Sequence, residues 1–308
     1  MRRARIACIQ YQLRPIADFA SFADQVGFFV ESADDYDCDF VLLPELFTTQ
    51  LMSFLPEREP VNAIRHLAEY TDQVVELLAG LAKRFRLHIV GGTHPRVQDG
   101  NLFNTSFFFW PDGTIGSQDK IHATPTEATY WRVTAGEQVS VFETHLGKVG
   151  IAICYDAEFP EYVRMLADAG AEILFVPYCT DDRQGYIRVR SCAQARAIEN
   201  QLFVATAGTV GNLPKVQYMY TNYACSAILT PSDFPFARDG IAAEGNPNQE
   251  MILVADLDLD LLAESRARGS VRPFTDRRPH IYRRAVHTHA MPEGAVVTES
   301  KRPVATGG

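Results

Sequence analysis

Three apolar runs of this chain each end on a residue able to do chemistry: an acid, a lysine and a cysteine. Val149-Gly-Ile-Ala-Ile-Cys154-Tyr-Asp-Ala-Glu-Phe-Pro160 reads as a strand stopping at Cys154, then a turn, then a helix with Pro160 in its first turn. Such an elbow exposes a thiol at the sheet edge. The amides that follow, Tyr155 N–H first, can point at an oxyanion, and the helix dipole would favour the thiolate. Asp39-Phe-Val-Leu-Leu-Pro-Glu45-Leu-Phe runs straight into an acid between apolar neighbours. Desolvation there would raise the carboxyl pKa until it can take a proton from a thiol and return it to a leaving amine. Asp119-Lys120-Ile-His122 closes a third strand, and a lysine beside a cysteine can hold the negative oxygen of a tetrahedral intermediate. Taken singly, each residue has a plainer reading: a core cysteine, a strand-end glutamate, a solvated lysine.

The elements that must position these residues alternate short β-rich runs with longer amphipathic segments, the pattern of an α/β layered fold. Strands are expected at 5–10, 39–44, 88–93, 103–110, 114–121, 139–143, 149–153, 173–176, 202–207, 224–229 and 251–256, with helices at roughly 16–34, 61–86, 159–169 and 185–200. Pro111-Asp112-Gly113 reads as a hairpin turn and Gly170 as a helix C-cap. Hairpins mixed with helical crossovers imply mixed sheets. No repeat, linker or shift in composition divides the chain before about residue 283, so residues 1–282 read as a single domain. Residues 283–308 are polar and without period, either a flexible tail or an arm that contacts another subunit.

The chain has 308 residues and a formal net charge of -9, a balance that disfavours nucleic acid and anionic membranes and points to a small-molecule ligand or a protein partner. Six cysteines without CxxC spacing, an N-terminus without a signal-like apolar run and no membrane-length apolar stretch fit a cytoplasmic protein. No metal or cofactor motif is present, and His287-Thr-His289 has no third ligand in sight.

Together, in this order and spacing, an acid after a proline, a lysine two residues before a histidine and a cysteine in Ile-Cys-Tyr-Asp resemble the nitrilase superfamily of carbon-nitrogen hydrolases. The likeness runs from Ile6-Ala-Cys-Ile-Gln10 to Met251-Ile-Leu-Val-Ala-Asp256. It implies an α-β-β-α sandwich that dimerises by stacking, with a homodimer or larger homo-oligomer as the assembly. It implies Glu45 as general base, Lys120 as oxyanion stabiliser and Cys154 as nucleophile, which ranks His122 below Glu45 as the base. Pro125-Thr126-Glu127 is similar to the family's Pro-x-Glu segment, making Glu127 a second acid that orients Lys120 or the substrate. Arg196-Ala-Ile-Glu199-Asn resembles a further segment, read as structural because Arg and Glu three apart on a helix pair with each other or brace loops.

The implied reaction is hydrolysis of a small amide through a cysteine thioester, releasing ammonia or an amine, with no cofactor. Tyr155 stands where the nitrile-cleaving branch usually carries Trp, which favours an amidase over a nitrile or N-carbamoyl-amine hydrolase. Acyl transfer would use the same residues. A non-catalytic scaffold is the rival from another class, and the presence of all four residues counts against it. Glu158, Tyr178, Asp181 and Asp182 are the candidate substrate-binding residues. The acids would suit a neutral or cationic amide better than a dicarboxylate monoamide, unless Asp181 and Asp182 merely begin the next helix.

Overall fold

A computed structural model describes residues 2–282, and the expected tail with its His287 and His289 lies outside them. The first strand, β1 (Arg3–Leu13), sets the layering. Ala4, Ile6 and Cys8 point into one hydrophobic core, while Ala7, Ile9, Tyr11 and Leu13 point into another, so β1 is buried on both faces. Helix α1 (Phe19–Asp35), capped by Asp18 accepting from Ser21 N at 2.9 Å, lays Phe22, Val26, Phe29 and Val30 on the second core. Strand β2 (Phe40–Leu42) follows, then helices α2 (Pro60–Ala68) and α3 (Thr71–Phe85), β3 (His88–Val90) and β4 (His94–Gln98). Where one helix was expected over 61–86 there are two. The chain turns at Glu69-Tyr70, and Thr71 Oγ1 donates to Ala68 O at 2.6 Å across the break.

Strands β5 (Asn101–Phe109) and β6 (Ile115–Asp119) form the expected hairpin over Gly113, whose φ is +89°. The β4–β5 hairpin had its own signal in Asp99-Gly100, both residues adopting positive φ. The second half begins with β7 (Val141–Thr144), β8 (Gly147–Ile151), α4 (Pro160–Asp168) and β9 (Ile173–Tyr178). It continues through α5 (Arg183–Asn200), β10 (Phe203–Gly211), β11 (Ala227–Leu229), β12 (Ile241–Glu244), β13 (Met251–Asp258) and α6 (Leu259–Arg268). Gly170 ends α4 as expected: Ala171 N donates to Leu166 O and Gly170 N to Ala167 O, both at 3.0 Å. Strand β12 and helix α6 were not anticipated, although Asp258 caps α6 through Asp260 N and Leu261 N.

One sheet carries the order β4-β5-β3-β2-β1-β13, with β6 on β5. The other runs β7-β8-β9-β10-β11-β12. They join along a single seam, where the last residues of β1, Tyr11 to Leu13, leave β2 behind and pair in parallel with Thr209 to Gly211 of β10. Away from that seam the sheets face each other through Phe40 against Phe175, ring centroids 5.6 Å apart, and Phe108 against Phe142 at 4.9 Å. Helices α1 to α3 cover the outer face of the first sheet, while α4 packs Leu166 on Gly150 of the second. The result is an α-β-β-α sandwich with mixed sheets, the expected fold class. This compact unit extends to Thr275. A second unit begins at Asp276 and contains the short helix α7 (Pro279–Tyr282).

After β3 the chain makes a clamp on the segment that ends β2. Gly92 has φ +54°, and a Cβ there would overlap the Pro44 carbonyl. Only glycine lets Thr93 come close enough for its Oγ1 to accept from Leu46 N at 2.9 Å. Gly92→Ala should therefore destabilise the fold by about 2 kcal/mol or more. Urea unfolding checks this, and an unchanged midpoint would mean that the clamp is slack.

Candidate active site

The C-terminal ends of parallel strands β2, β8 and β9 open on the same side of the two sheets, and the site is built there. Glu45 comes three residues after β2. Leu46, with φ +53°, turns the chain into a 3-10 helix over Phe47–Ser53 and leaves the carboxylate pointing inward, 2% exposed. Lys120 directly follows β6 with its backbone held on both sides: Lys120 N donates to Asn104 O at 2.9 Å and Gly136 N to Lys120 O at 2.7 Å. Glu127 opens a π-helical turn, Glu127–Trp131, closed reciprocally with Thr124. Thr124 N donates to Glu127 Oε2 at 2.8 Å, and Glu127 N to Thr124 Oγ1 at 3.2 Å.

Lys120 Nζ lies 2.7 Å from Glu45 Oε1 and 2.7 Å from Glu127 Oε2, all three side chains being buried. Burial alone would push the lysine down, yet Glu127 and Glu45 more than reverse it and hold the ammonium well above its usual range. Burial pushes the two acids up. For Glu127 the ammonium and its hydrogen bonds win and its carboxyl falls below the usual value. For Glu45 burial wins, reinforced by Glu127, and the carboxyl stays raised. Two of the three Lys120 N–H groups are thus engaged, and one remains for a third acceptor.

Cys154 sits in the left-handed region, φ +49°, at the start of a 3-10 turn over Cys154–Glu158. Its Sγ is 3.8 Å from Cys179 O, and the charges of Glu45 and Lys120 both act on it. The dipole argument from sequence does not hold. Helix α4 starts only at Pro160, beyond the 3-10 turn, and burial followed by the Glu45 charge raises the thiol well above its ordinary range against the pull of Lys120.

Three groups that hold the site were not singled out from sequence. Asn104 Nδ2 donates to Glu45 Oε1 at 3.0 Å and Glu127 Oε1 at 2.8 Å. Cys179 N donates to Glu45 Oε2 at 2.9 Å. Asp156, wholly buried two residues after Cys154, accepts from Ile153 N, Ile121 N and His122 N at 3.3, 3.2 and 2.8 Å, tying the cysteine turn to the lysine strand. His122 Nδ1 also meets Asp156, at 2.8 Å, and its ring stacks on Phe159 at 3.6 Å. Arg196 pairs with Glu199 at 2.6 Å and donates to Ala157 O at 3.0 Å, a brace under the same turn.

A cavity of about 600 Å3 opens above Cys154, lined also by Glu45, Lys120, Glu127, Tyr155 and Trp131. Of the candidate substrate residues, Glu158, Asp181 and Asp182 line it and Tyr178 does not. Tyr178 faces the opposite way, 1% exposed beneath Gly208, with its hydroxyl accepting from Cys225 N at 3.0 Å; the next residue, Cys179, is the one turned to the cavity. Asp182 is the N-cap of α5, accepting from Gly185 N at 2.8 Å. Glu158 has Arg188 at 3.8 Å, and Tyr218, stacked on Tyr130 at 4.6 Å, closes one side.

Comparison with known proteins agrees with this geometry. The carbon-nitrogen hydrolase family model matches residues 5–267. A probable hydrolase of Bacillus subtilis (strain 168), YhcX, is 50% identical over 278 residues, covering 90% of this chain and 54% of that protein, so the chain spans about half the length of that relative. The omega-amidase NIT2 of Homo sapiens is 28% identical over 294 residues, covering 92% of this chain and 98% of that one. Among solved structures, Saccharomyces cerevisiae Nit3, a member of branch 10 of the nitrilase superfamily, superposes with a TM-score of 0.71 at 26% identity over 86% of this chain and 94% of that chain. The chain belongs to the carbon-nitrogen hydrolase family.

Proposed function

We propose that this protein is an amidase-type hydrolase that cleaves the C–N bond of a small amide through a thioester on Cys154. The observation that carries the reading is the buried Glu45–Lys120–Glu127 cluster beside the Cys154 thiol on the wall of an open cavity. Glu45 takes the thiol proton as sulfur bonds to the amide carbon, and the oxyanion so formed accepts from the third Lys120 N–H and the Tyr155 amide. Collapse breaks the C–N bond, Glu45 hands its proton to the departing nitrogen, and ammonia or an amine leaves. Water then yields a proton to Glu45 and its oxygen bonds to the carbon. The C–S bond breaks and the sulfur recovers the proton, giving the carboxylic acid. Moving the proton from Cys154 to Glu45 leaves the charge of the buried cluster unchanged, so no further charge has to be desolvated at that step.

The reading is tested by ammonia release across a panel of primary amides, nitriles and N-carbamoyl amines. Cys154→Ala and Glu45→Gln should each lose roughly 10^3-fold or more in kcat/KM on whichever compound the native enzyme turns over. Because Glu45 must be ionised to act, kcat/KM should rise with pH through a midpoint above the ordinary glutamate value of 4.5. Retention of most activity by either variant would end the proposal.

At the cavity rim, burial holds both Glu158 and Asp181 above their usual carboxyl values, Asp182 adding to the effect at Asp181 and Arg188 opposing it at Glu158. Acids outnumber the single rim cation, which supports an amide with a neutral or cationic far end. Arg188 favours a second reading, a substrate ending in a carboxylate. Amides matched in length should show at least about tenfold higher kcat/KM with a terminal amine than with a terminal carboxylate, a difference of about 1.4 kcal/mol. The reverse order would assign the rim to Arg188.

A further inference from the structure

The hydrogen bonds around Glu45 are unevenly divided between its two oxygens. Oε1 receives Lys120 Nζ at 2.7 Å and Asn104 Nδ2 at 3.0 Å, which occupies both of its lone pairs. Among the described residues Oε2 receives only Cys179 N, at 2.9 Å, which leaves it one lone pair. A base needs one such vacancy directed at the proton it is to take.

We infer that Asn104 is a positioning residue for the reaction: by bridging Glu45 Oε1 and Glu127 Oε1 it leaves Glu45 Oε2 as the oxygen that accepts the Cys154 proton. Asn104 is 2% exposed on β5, and both of its amide hydrogens are used, one on each carboxylate, at 3.0 and 2.8 Å. Its Oδ1 has no hydrogen-bond partner among the described residues. A buried amide oxygen without a donor is costly, so the orientation has to be fixed by what the nitrogen does. Turning the amide over would set its oxygen against two carboxylates. The neutral donor also does what a second cation there would not. It lets two acids share one lysine without raising the charge of the cluster, and so keeps Glu45 basic enough to work. The groups facing Glu45 from the surrounding elements are Lys120 at the end of β6, Glu127 in the π turn, Cys154 in the 3-10 turn and Cys179 after β9. Asn104 is the one uncharged side chain joining two of the acids in that ring.

This inference rests on Glu45 acting as the base, and its test uses a readout that needs no known substrate. The rate of Cys154 alkylation by iodoacetamide, followed by intact mass and peptide mapping between pH 4 and 9 with Cys154→Ala as background, reports proton transfer from the thiol. Asn104→Leu removes the bridge at similar volume. Loss of a donor to the ionised form should move the acid limb up by roughly one pH unit, with a defect of about tenfold on the acid side of the native midpoint that shrinks as the pH is raised. Asn104→Ser, which keeps one donor, should move the limb part of the way, and it decides the question if the leucine variant fails to fold. A role in folding alone would lower the rate equally at every pH, and an unmoved limb in either folded variant overturns the inference. Failure of the catalytic reading looks different: the native profile itself would then be unaltered by Glu45→Gln.

Discussion

One ammonium shared by two buried carboxylates is the constraint around which this molecule is organised. Removing three charges from water is expensive, and one cation between two anions recovers that cost only if the distances are short and each carboxylate oxygen has a donor. Here each has. Lys120 lies 2.7 Å from each acid, and Asn104, Cys179 N and Thr124 N supply the other donors. Loss of one member would leave an uncompensated charge in the protein interior, so the cluster forms as a unit or not at all. Its members come from β5, the residues just after β2, β6 and β9, and the π turn with the Thr124 before it, which is why most of both sheets must be in place before the site exists.

The backbone around the cluster carries the conformational cost. Leu46, next to Glu45, and Cys154, both bulkier than glycine, adopt positive φ of 53° and 49°. Such residues persist only where their surroundings over-determine them. For Leu46 those surroundings are Gly92 and Thr93, and for Cys154 they are Asp156 and Arg196. The strain aims two side chains into one cavity from strands of different sheets, which regular β geometry, with its strict alternation, would not do.

The site was legible in the sequence to the extent that its residues end apolar runs. Glu45, Lys120 and Cys154 stand just beyond strand ends, Glu127 was legible only through its Pro-x-Glu segment, and the structure brings all four together. What holds them was not legible, because the bonds join residues far apart: Asn104 and Glu45 are separated by 59 positions, Cys179 and Glu45 by 134. Tyr178 was assigned to the cavity because β9 is buried on both faces and no polar alternation tells which side chain faces which way. The strand order was implied only coarsely. The double role of β1, which pairs with β2 and then with β10, depends on contacts that no local periodicity encodes. The helix expected over 61–86 divides because a Thr71 hydroxyl ends the first half, a choice that apolar spacing leaves open.

In the proposed reaction the Cys154 sulfur becomes covalently bonded to the acyl group beside Glu45 and Lys120. Rapid acid quenching of the enzyme during turnover of an amide it accepts, followed by mass analysis of the peptide containing residue 154, measures this directly. The account predicts an adduct equal in mass to the amide less its amine, on that peptide and no other, decaying as the acid product appears. Turnover at full rate with the residue 154 peptide never modified would contradict it.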